Sequence, residues 1–372
     1  MNRQKLFWVL LMCFGFSLVY AAAQTQPAAG PPEAAPTTPQ PSAKAAAAPL
    51  PDPQTPEEFF ARARQLSDLE ASGIAFHLKA TYVASGDTEF TGNGTYEEWW
   101  QSKDLWRKEA TLGDYKYVEI ESGGKLSLYG SSDYVPLRLR QMLDAVVIRI
   151  APDAGTSREW QLKHQMLKGV DLVVLSSEKT YEEPKFKVPY VTSDYLTSGG
   201  VLRIQMTDGV EDLYNDFQPF QHLLTPRKID VAGDGTAVLT ISIPLLERLG
   251  PNEKMLARDA PLPAGVQPIR PPLRLKPGAG VRPPEPTLSP APIFPASERT
   301  THPHSAVVII AGQIDTKGIL REPHVLASAG PAYDRAAMDA VRKYRFRPAR
   351  ENGEPRIVDT NIFIDFNDLG MR

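Results

Sequence analysis

The segment DRAAMDAVRKYRFRPARENGEPR, residues 334–356, decides how the end of this chain folds. Its first half has apolar residues at helical spacing and predicts a helix from about Ala332 to Lys343. Pro348 cannot continue that helix, because it has no backbone N–H and pushes the preceding residue into extended geometry. The segment therefore predicts a helix that ends abruptly and passes straight into an extended strand.

The extended part, from Tyr344 to Ala349, predicts two different faces. Alternate residues of a strand point to opposite sides, so Phe346 is expected to face the core while Arg345 and Arg347 face water. Asn352 and the glycine after it predict a turn that leads into a last strand.

Two further strands precede the helix, and they complete a small unit over residues 304–372. The β-branched run Ala306–Ile314 predicts a strand, and Asp315–Gly318 predicts a turn. Ile319–Ala327 predicts the returning strand, and Ile357–Phe366 the last one. The unit is thus expected to have the order β-β-α-β.

These motifs resemble the C-terminal domain of the TonB family of energy transducers. The shared pattern includes Ile314, Asp315 and Gly318 at the end of the first strand, and Ser328 and Gly330 after the second. It continues through D.AAMDAV.KYRFRPA..NGEP, residues 334–355, and closes on the strand at Ile357–Phe366. The resemblance implies a partner-binding domain that adds a strand to a segment of an outer-membrane transporter.

The resemblance also implies where such a partner binds. Strand addition needs an exposed edge, and the last strand is the candidate, with the residues Ile357, Val358, Asp359, Thr360, Asn361 and Ile362. Arg345 and Arg347 are predicted to help attract an acidic partner segment. A basic face that only contacts solvent explains these two arginines equally well.

The N-terminus predicts export from the cytoplasm. Arg3 and Lys5 precede an uncharged apolar run, and small alanines follow, which is typical of a signal peptide over residues 1–23. The predicted location is the periplasm. An uncleaved anchor in the inner membrane is the alternative, and contact with an inner-membrane motor complex is expected only in that case. The single cysteine, Cys13, lies within this run.

Composition divides the remaining chain. The protein has 372 residues, a formal net charge of −3 and 35 prolines. Residues 24–56 are rich in alanine and proline and predict a disordered spacer. Residues 251–303 are again rich in proline and predict a linker, which is either a plain connection or a spacer that crosses a distance.

The block between them, residues 57–250, predicts a curved antiparallel sheet with helices at Glu57–Leu69 and Pro136–Val147. The whole chain is therefore expected to be α+β. The order of elements resembles the LolA/LolB-like lipoprotein-carrier fold, which implies a half-barrel with an apolar cavity for lipid. An ordinary packed sheet without a cavity remains the alternative.

The sequence indicates no enzyme. Its six histidines are scattered, and only His302 and His304 are close together. We therefore expect no catalytic residues, no cofactor and no metal, and the near-neutral charge indicates no nucleic-acid partner. The predicted function is a non-enzymatic periplasmic adaptor or transducer. The alternative is a lipid or lipoprotein carrier whose tail serves for docking.

Overall fold

The computed structural model describes residues 52–150, 159–183, 186–207, 209–233, 236–257, 259–273, 280–298 and 306–366. The predicted signal peptide, the spacer up to residue 51 and the histidines at 302 and 304 lie outside these ranges. The described residues from Pro53 onward form one compact unit. Within the described ranges, no helix has the length and apolar character needed to span a membrane.

The first part of the described chain, up to residue 250, contains two helices and twelve strands. They are α1 (Pro56–Ser67), β1 (Phe76–Ala84), β2 (Gly92–Ser102), β3 (Leu105–Leu112), β4 (Tyr115–Ser122), β5 (Leu126–Gly130), α2 (Leu137–Ala145), β6 (Gln161–Leu167), β7 (Val170–Glu183), β8 (Phe186–Leu196), β9 (Leu202–Thr207), β10 (Val210–Phe220), β11 (Leu223–Gly233) and β12 (Thr236–Arg248). Both predicted helices are confirmed. β8 carries Pro189 and was not predicted.

Besides two short 3-10 helices at Lys254–Leu256 and Ala296–Glu298, the later part of the described chain contains one α-helix and nine strands. They are β13 (Gln267–Ile269), β14 (Val281–Arg282), β15 (Glu285–Leu288), β16 (Val307–Ile314), β17 (Leu320–Ala327), α3 (Pro331–Val341), β18 (Arg345–Arg347), β19 (Ala349–Glu351), β20 (Glu354–Arg356) and β21 (Val358–Asp365). The predicted β-β-α-β elements are present, and β18, β19 and β20 are added between the helix and the last strand.

One large sheet dominates the first part. Its thirteen described strands follow the order β13-β5-β4-β3-β2-β1-β12-β11-β10-β9-β8-β7-β6. Neighbours in the sheet are antiparallel. β1 pairs with β12, so that Tyr82 lies opposite Ile241. The sheet is therefore a long meander folded back on itself, which confirms a large curved antiparallel sheet. We call this part the sheet domain.

The core of the sheet domain lies on one face of the sheet. Burial alternates along β1, where Phe76, Leu78 and Tyr82 face the core. The helix α1 buries Phe59 and Phe60 against the same core. Alternating burial is what an antiparallel sheet with one covered face requires, and it fixes which side of each strand can carry a ligand.

The second part has its own small core. The sheet β17-β16-β21 packs against α3, and Ile310, Tyr333 and Ile364 lie in that core. Phe346 is half-buried while Arg345 and Arg347 are exposed, which confirms the two predicted faces of the extended segment. We call residues 306–366 the C-terminal module.

The predicted linker is in contact with both parts where the structure describes it. β13 pairs with β5 of the sheet domain, while β14 pairs with β19 and β15 with β18 of the C-terminal module. The ring of Phe294 lies edge-on against Tyr333 at a centroid distance of 5.8 Å. These contacts attach the segment to the two parts it connects.

The C-terminal module also contacts the sheet domain directly. The buried carboxylate of Glu322 accepts hydrogen bonds from the backbone N–H groups of Leu137 and Glu89, the latter at 3.1 Å. The hydroxyl of Thr316 donates to Asp133 at 2.9 Å. The sequence carried no signal for this contact, because its partners lie far apart along the chain.

Candidate functional site

The last strand, β21, lies at one edge of the small sheet. It pairs with β16 on one side, where the N–H of Phe366 donates to the carbonyl of Ala306 at 3.0 Å. Because the backbone groups of successive residues face opposite sides, the even-numbered residues face β16. The backbone groups of Ile357, Asp359 and Asn361 therefore face outward. This edge can accept another strand.

From Val358 to Ile362, the side chains of the predicted edge residues alternate between more buried and exposed positions. Ile357 and Val358 are buried, whereas Asp359 and Asn361 are exposed. Thr360 and Ile362 are half-buried, and Ile362 packs against the core of the C-terminal module. A strand added at this edge would have backbone groups to bind and polar side chains beside it.

The carboxylate of Asp359 is already engaged. It accepts a hydrogen bond from the side-chain amide of Gln313 at 2.8 Å. It also lies 3.7 Å from the guanidinium of Arg140, which belongs to α2 of the sheet domain. The edge strand is thus connected to the sheet domain through this ion pair.

The structure does not bring the two predicted arginines to the edge strand. β18 is held at the start of β17, since the N–H of Phe346 donates to the carbonyl of Gly318 at 2.9 Å. Arg347 pairs with Glu285 at 2.6 Å, and Arg345 donates to the carbonyl of Tyr344 at 2.6 Å. β17 and β21 flank β16 on opposite sides, so the arginines lie at the other edge of the sheet.

A short segment of the predicted linker lies beside β21, and we call residues 267–273 the strap. The N–H of Leu273 donates to the outward carbonyl of Ile357 at 2.7 Å, and Leu273 forms an isolated parallel bridge with Val358. The guanidinium of Arg356 donates to the carbonyl of Pro271 at 3.0 Å. The beginning of the edge is therefore covered by the chain itself. No sequence pattern predicted this contact.

A cavity of about 350 Å³ adjoins the strap. The sheet domain, the strap and the C-terminal module all contribute to its wall. Its apolar lining includes Leu128, Leu143 and Ile269, and the module contributes Gln313 and Ile357. The cavity is large enough for a small amphiphile or for part of a longer apolar chain.

Charged side chains also line this cavity. Lys108 belongs to the lining, and its ammonium lies 3.5 Å from the fully buried carboxylate of Glu98. The hydroxyl of Tyr96 donates to Glu98 at 2.8 Å, and burial raises the pKa of the Glu98 carboxyl. The wall of the cavity thus combines apolar side chains with charged ones.

Two further carboxyl groups in this region have raised pKa values. Burial raises the pKa of Asp144, which lines the cavity. Burial, together with the nearby charge of Asp144, raises the pKa of Asp212 to about 7. Removal from water disfavours the charged form of a carboxyl, and a second carboxylate adds repulsion.

The geometry of the module has a counterpart among known proteins. Residues 290–367 match the family described as Gram-negative bacterial TonB protein C-terminal. The TonB resemblance that the sequence predicted is confirmed for this part of the chain. The match includes the C-terminal module together with Phe294 of the preceding segment, which packs on α3.

Two solved structures are similar to a larger part of the chain. A LolA superfamily protein from Nitrosomonas europaea has 14% identity and a TM-score of 0.34, covering 56% of this chain and 99% of its own. A domain from Vibrio parahaemolyticus, provisionally named as an outer membrane lipoprotein-sorting protein, has 9% identity and a TM-score of 0.27. It covers 53% of this chain and 92% of its own. No curated protein sequence matches the chain.

Proposed function

We propose that this chain is a non-enzymatic protein of the bacterial envelope whose C-terminal module binds an outer-membrane transporter by strand addition. The observation that carries the proposal is the edge strand β21, whose outward backbone groups include those of Asp359 and Asn361. Among the described residues, no backbone hydrogen bond reaches Asn361 from the outer side, while the bridge between Leu273 and Val358 lies next to Asp359. The TonB match supports a transporter as the partner.

A single proline substitution at the edge tests this proposal. The N–H of Asn361 faces away from β16, so Asn361→Pro removes a docking donor without removing a bond of the sheet. The control, Asn361→Ala, shortens the same side chain and keeps the N–H. The probes are synthetic peptides that span the N-terminal periplasmic segments of the bacterium's own outer-membrane transporters.

Calorimetry with the full chain gives the result. We expect the proline variant to bind such a peptide at least tenfold more weakly than the alanine variant, because each backbone bond contributes to affinity. Unchanged circular dichroism and melting temperature show that the fold is intact. Equal affinities of the two variants for every peptide, or no binding by the unaltered chain, would contradict the proposal.

The cavity favours a second candidate function, a carrier of lipid or of a lipid-modified protein. Its wall combines the apolar side chains of Leu128, Leu143 and Ile269 with charged side chains, a mixture that suits an amphiphile. Native mass spectrometry of the full chain, followed by organic extraction, tests it. We expect a co-purifying lipid. A ligand-free mass, and no uptake of added phospholipid, would exclude this function.

The proposed location is the periplasm, after removal of residues 1–23. Sequencing the N-terminus of the mature protein decides this point. A start at Gln24 supports a periplasmic protein. A start at Met1 supports the alternative, in which the chain stays anchored in the inner membrane and is able to contact a motor complex there.

A further inference from the structure

The strap occupies a position that a partner strand needs. The carbonyl of Ile357 is the first outward-facing acceptor along the edge, and Leu273 already donates to it at 2.7 Å. A partner strand that pairs along β21 from its beginning requires the same acceptor. The strap and the first residues of such a partner therefore exclude each other.

The strap is fixed at both ends. Its first residues form β13, in which Ile269 lies opposite Leu128 of the sheet domain. Its last residue bonds to the C-terminal module, and Arg270 pairs there with Glu354 at 3.1 Å. The strap therefore ties the two parts together across the start of the edge.

The composition of the strap limits how firmly it covers the edge. Pro268, Pro271 and Pro272 have no backbone N–H, so they cannot donate to a neighbouring strand. In the described residues, the backbone pairing of the strap with the edge is confined to Leu273. A partner with an N–H at every second residue would form more bonds along β21, and so it is able to displace the strap.

The same segment forms part of the cavity wall. Ile269, Arg270 and the two following prolines line the cavity together with Ile357. Gln313 lines it as well, with 2% of its surface exposed and its side-chain oxygen without a hydrogen-bond partner in the described residues. Movement of the strap away from the edge therefore removes part of the wall.

We propose that the strap is an intramolecular shield, which covers the start of the edge strand while it forms part of the cavity wall. A partner strand displaces it and removes this part of the wall in the same step. This inference rests on the proposed strand addition at β21, and it adds that partner binding and the state of the cavity wall are coupled. Coupling of this kind is reciprocal, so a ligand held in the cavity by the strap weakens partner binding.

A reversible lock tests the shield in the full chain. Leu128 and Ile269 lie opposite each other in an antiparallel pair, at a separation suited to a disulfide. The variant Leu128→Cys with Ile269→Cys is made in a Cys13→Ser background, since Cys13 is the chain's one native cysteine. The oxidised protein holds the strap, and the same protein with reductant is its matched control.

A second pair of variants, made without the disulfide, compares a released strap with an intact one. Leu273→Pro removes the N–H that bonds to Ile357, and Leu273→Ala shortens the same side chain while it keeps that N–H. The probe is the transporter peptide that binds the unaltered chain most tightly. We expect at least tenfold weaker binding to the oxidised than to the reduced protein, and at least threefold tighter binding to the proline than to the alanine variant.

The outcomes separate this inference from the proposed function. If all four forms bind the peptide equally, the proposed function stands and the shield is overturned. If no form binds any peptide, strand addition itself fails and the shield fails with it. The probe 1-anilinonaphthalene-8-sulfonate reports on the cavity. Its fluorescence should rise when the peptide is added to the reduced protein but not to the oxidised one, and an equal response in both overturns the coupling.

Discussion

Glu322 provides the most direct test of how the C-terminal module is held against the sheet domain. Its carboxylate caps the start of α2, where Pro136 offers no side-chain hydrogen bond of its own. The substitution Glu322→Ala leaves the N–H of Leu137 without its acceptor. Leu137 is buried, so water does not easily replace the lost bond.

Two opposing effects determine how much Glu322→Ala lowers the free energy of opening at this contact. An unpaired buried donor costs about 1–3 kcal/mol, and loss of the bond from Glu89 adds little because that residue is exposed. Burial raises the pKa of Glu322, so removal of this carboxylate also relieves some cost of burying it. We expect a net loss of about 2 kcal/mol in the free energy of opening at this contact, or about 30-fold in hydrogen exchange.

Hydrogen exchange of the full chain, resolved at the Leu137 amide, measures this loss. The control is Asp339→Ala, which removes a carboxylate from an exposed position on α3 and is expected to change the free energy by less than about 0.5 kcal/mol. Unchanged protection of Leu137 in Glu322→Ala would refute the reasoning. An equal effect of both substitutions would show that the charge of the module, rather than the cap, is responsible.

Three further predictions concern stability, each measured by urea denaturation. Asp212→Asn stabilises the protein increasingly from pH 4 to 8, by at most about 4 kcal/mol, because the raised pKa of Asp212 shows that its charged form is costly in the folded protein. A change in stability that is the same at every pH would contradict this prediction. Gly318→Ala is severely destabilising, since its Cβ would meet the carbonyl of Phe346 at a φ of +79°, whereas Gly113→Ala, at +54° with open space, costs about 1 kcal/mol. Thr55→Ala loses the capping box of α1 and costs about 1 kcal/mol, and no change in stability would show that the cap is dispensable.

Local patterns were sufficient to predict the helices and most strands. Pro348 cannot continue a helix and Asn352 favours a turn, because these backbone preferences depend on the residue itself. The alternation of Arg345, Phe346 and Arg347 likewise predicted which side chains face water, and the structure confirms it. These inferences needed no knowledge of distant contacts.

The sequence predicted which strand forms the exposed edge, but not which side chains lie beside it. The resemblance to TonB proteins placed it on the last strand, and the structure shows that β21 lies at an edge of the sheet. Arg345 and Arg347 lie at the opposite edge of the small sheet, because their strand β18 pairs with β15 and contacts the start of β17. Strand order is a property of the whole sheet, and residue spacing within one segment does not reveal it.

The sequence by itself determined most of the local elements and the resemblance of the C-terminal module to the TonB family. Only the tertiary structure decided that Glu322 caps α2 and that Leu273 pairs with the edge strand. It alone also decided that the sheet domain, the strap and the C-terminal module enclose a cavity. These contacts join residues separated by long stretches of chain, and each depends on how completed elements pack. Backbone preferences act over a few residues, whereas packing and hydrogen bonding between elements act across the whole fold.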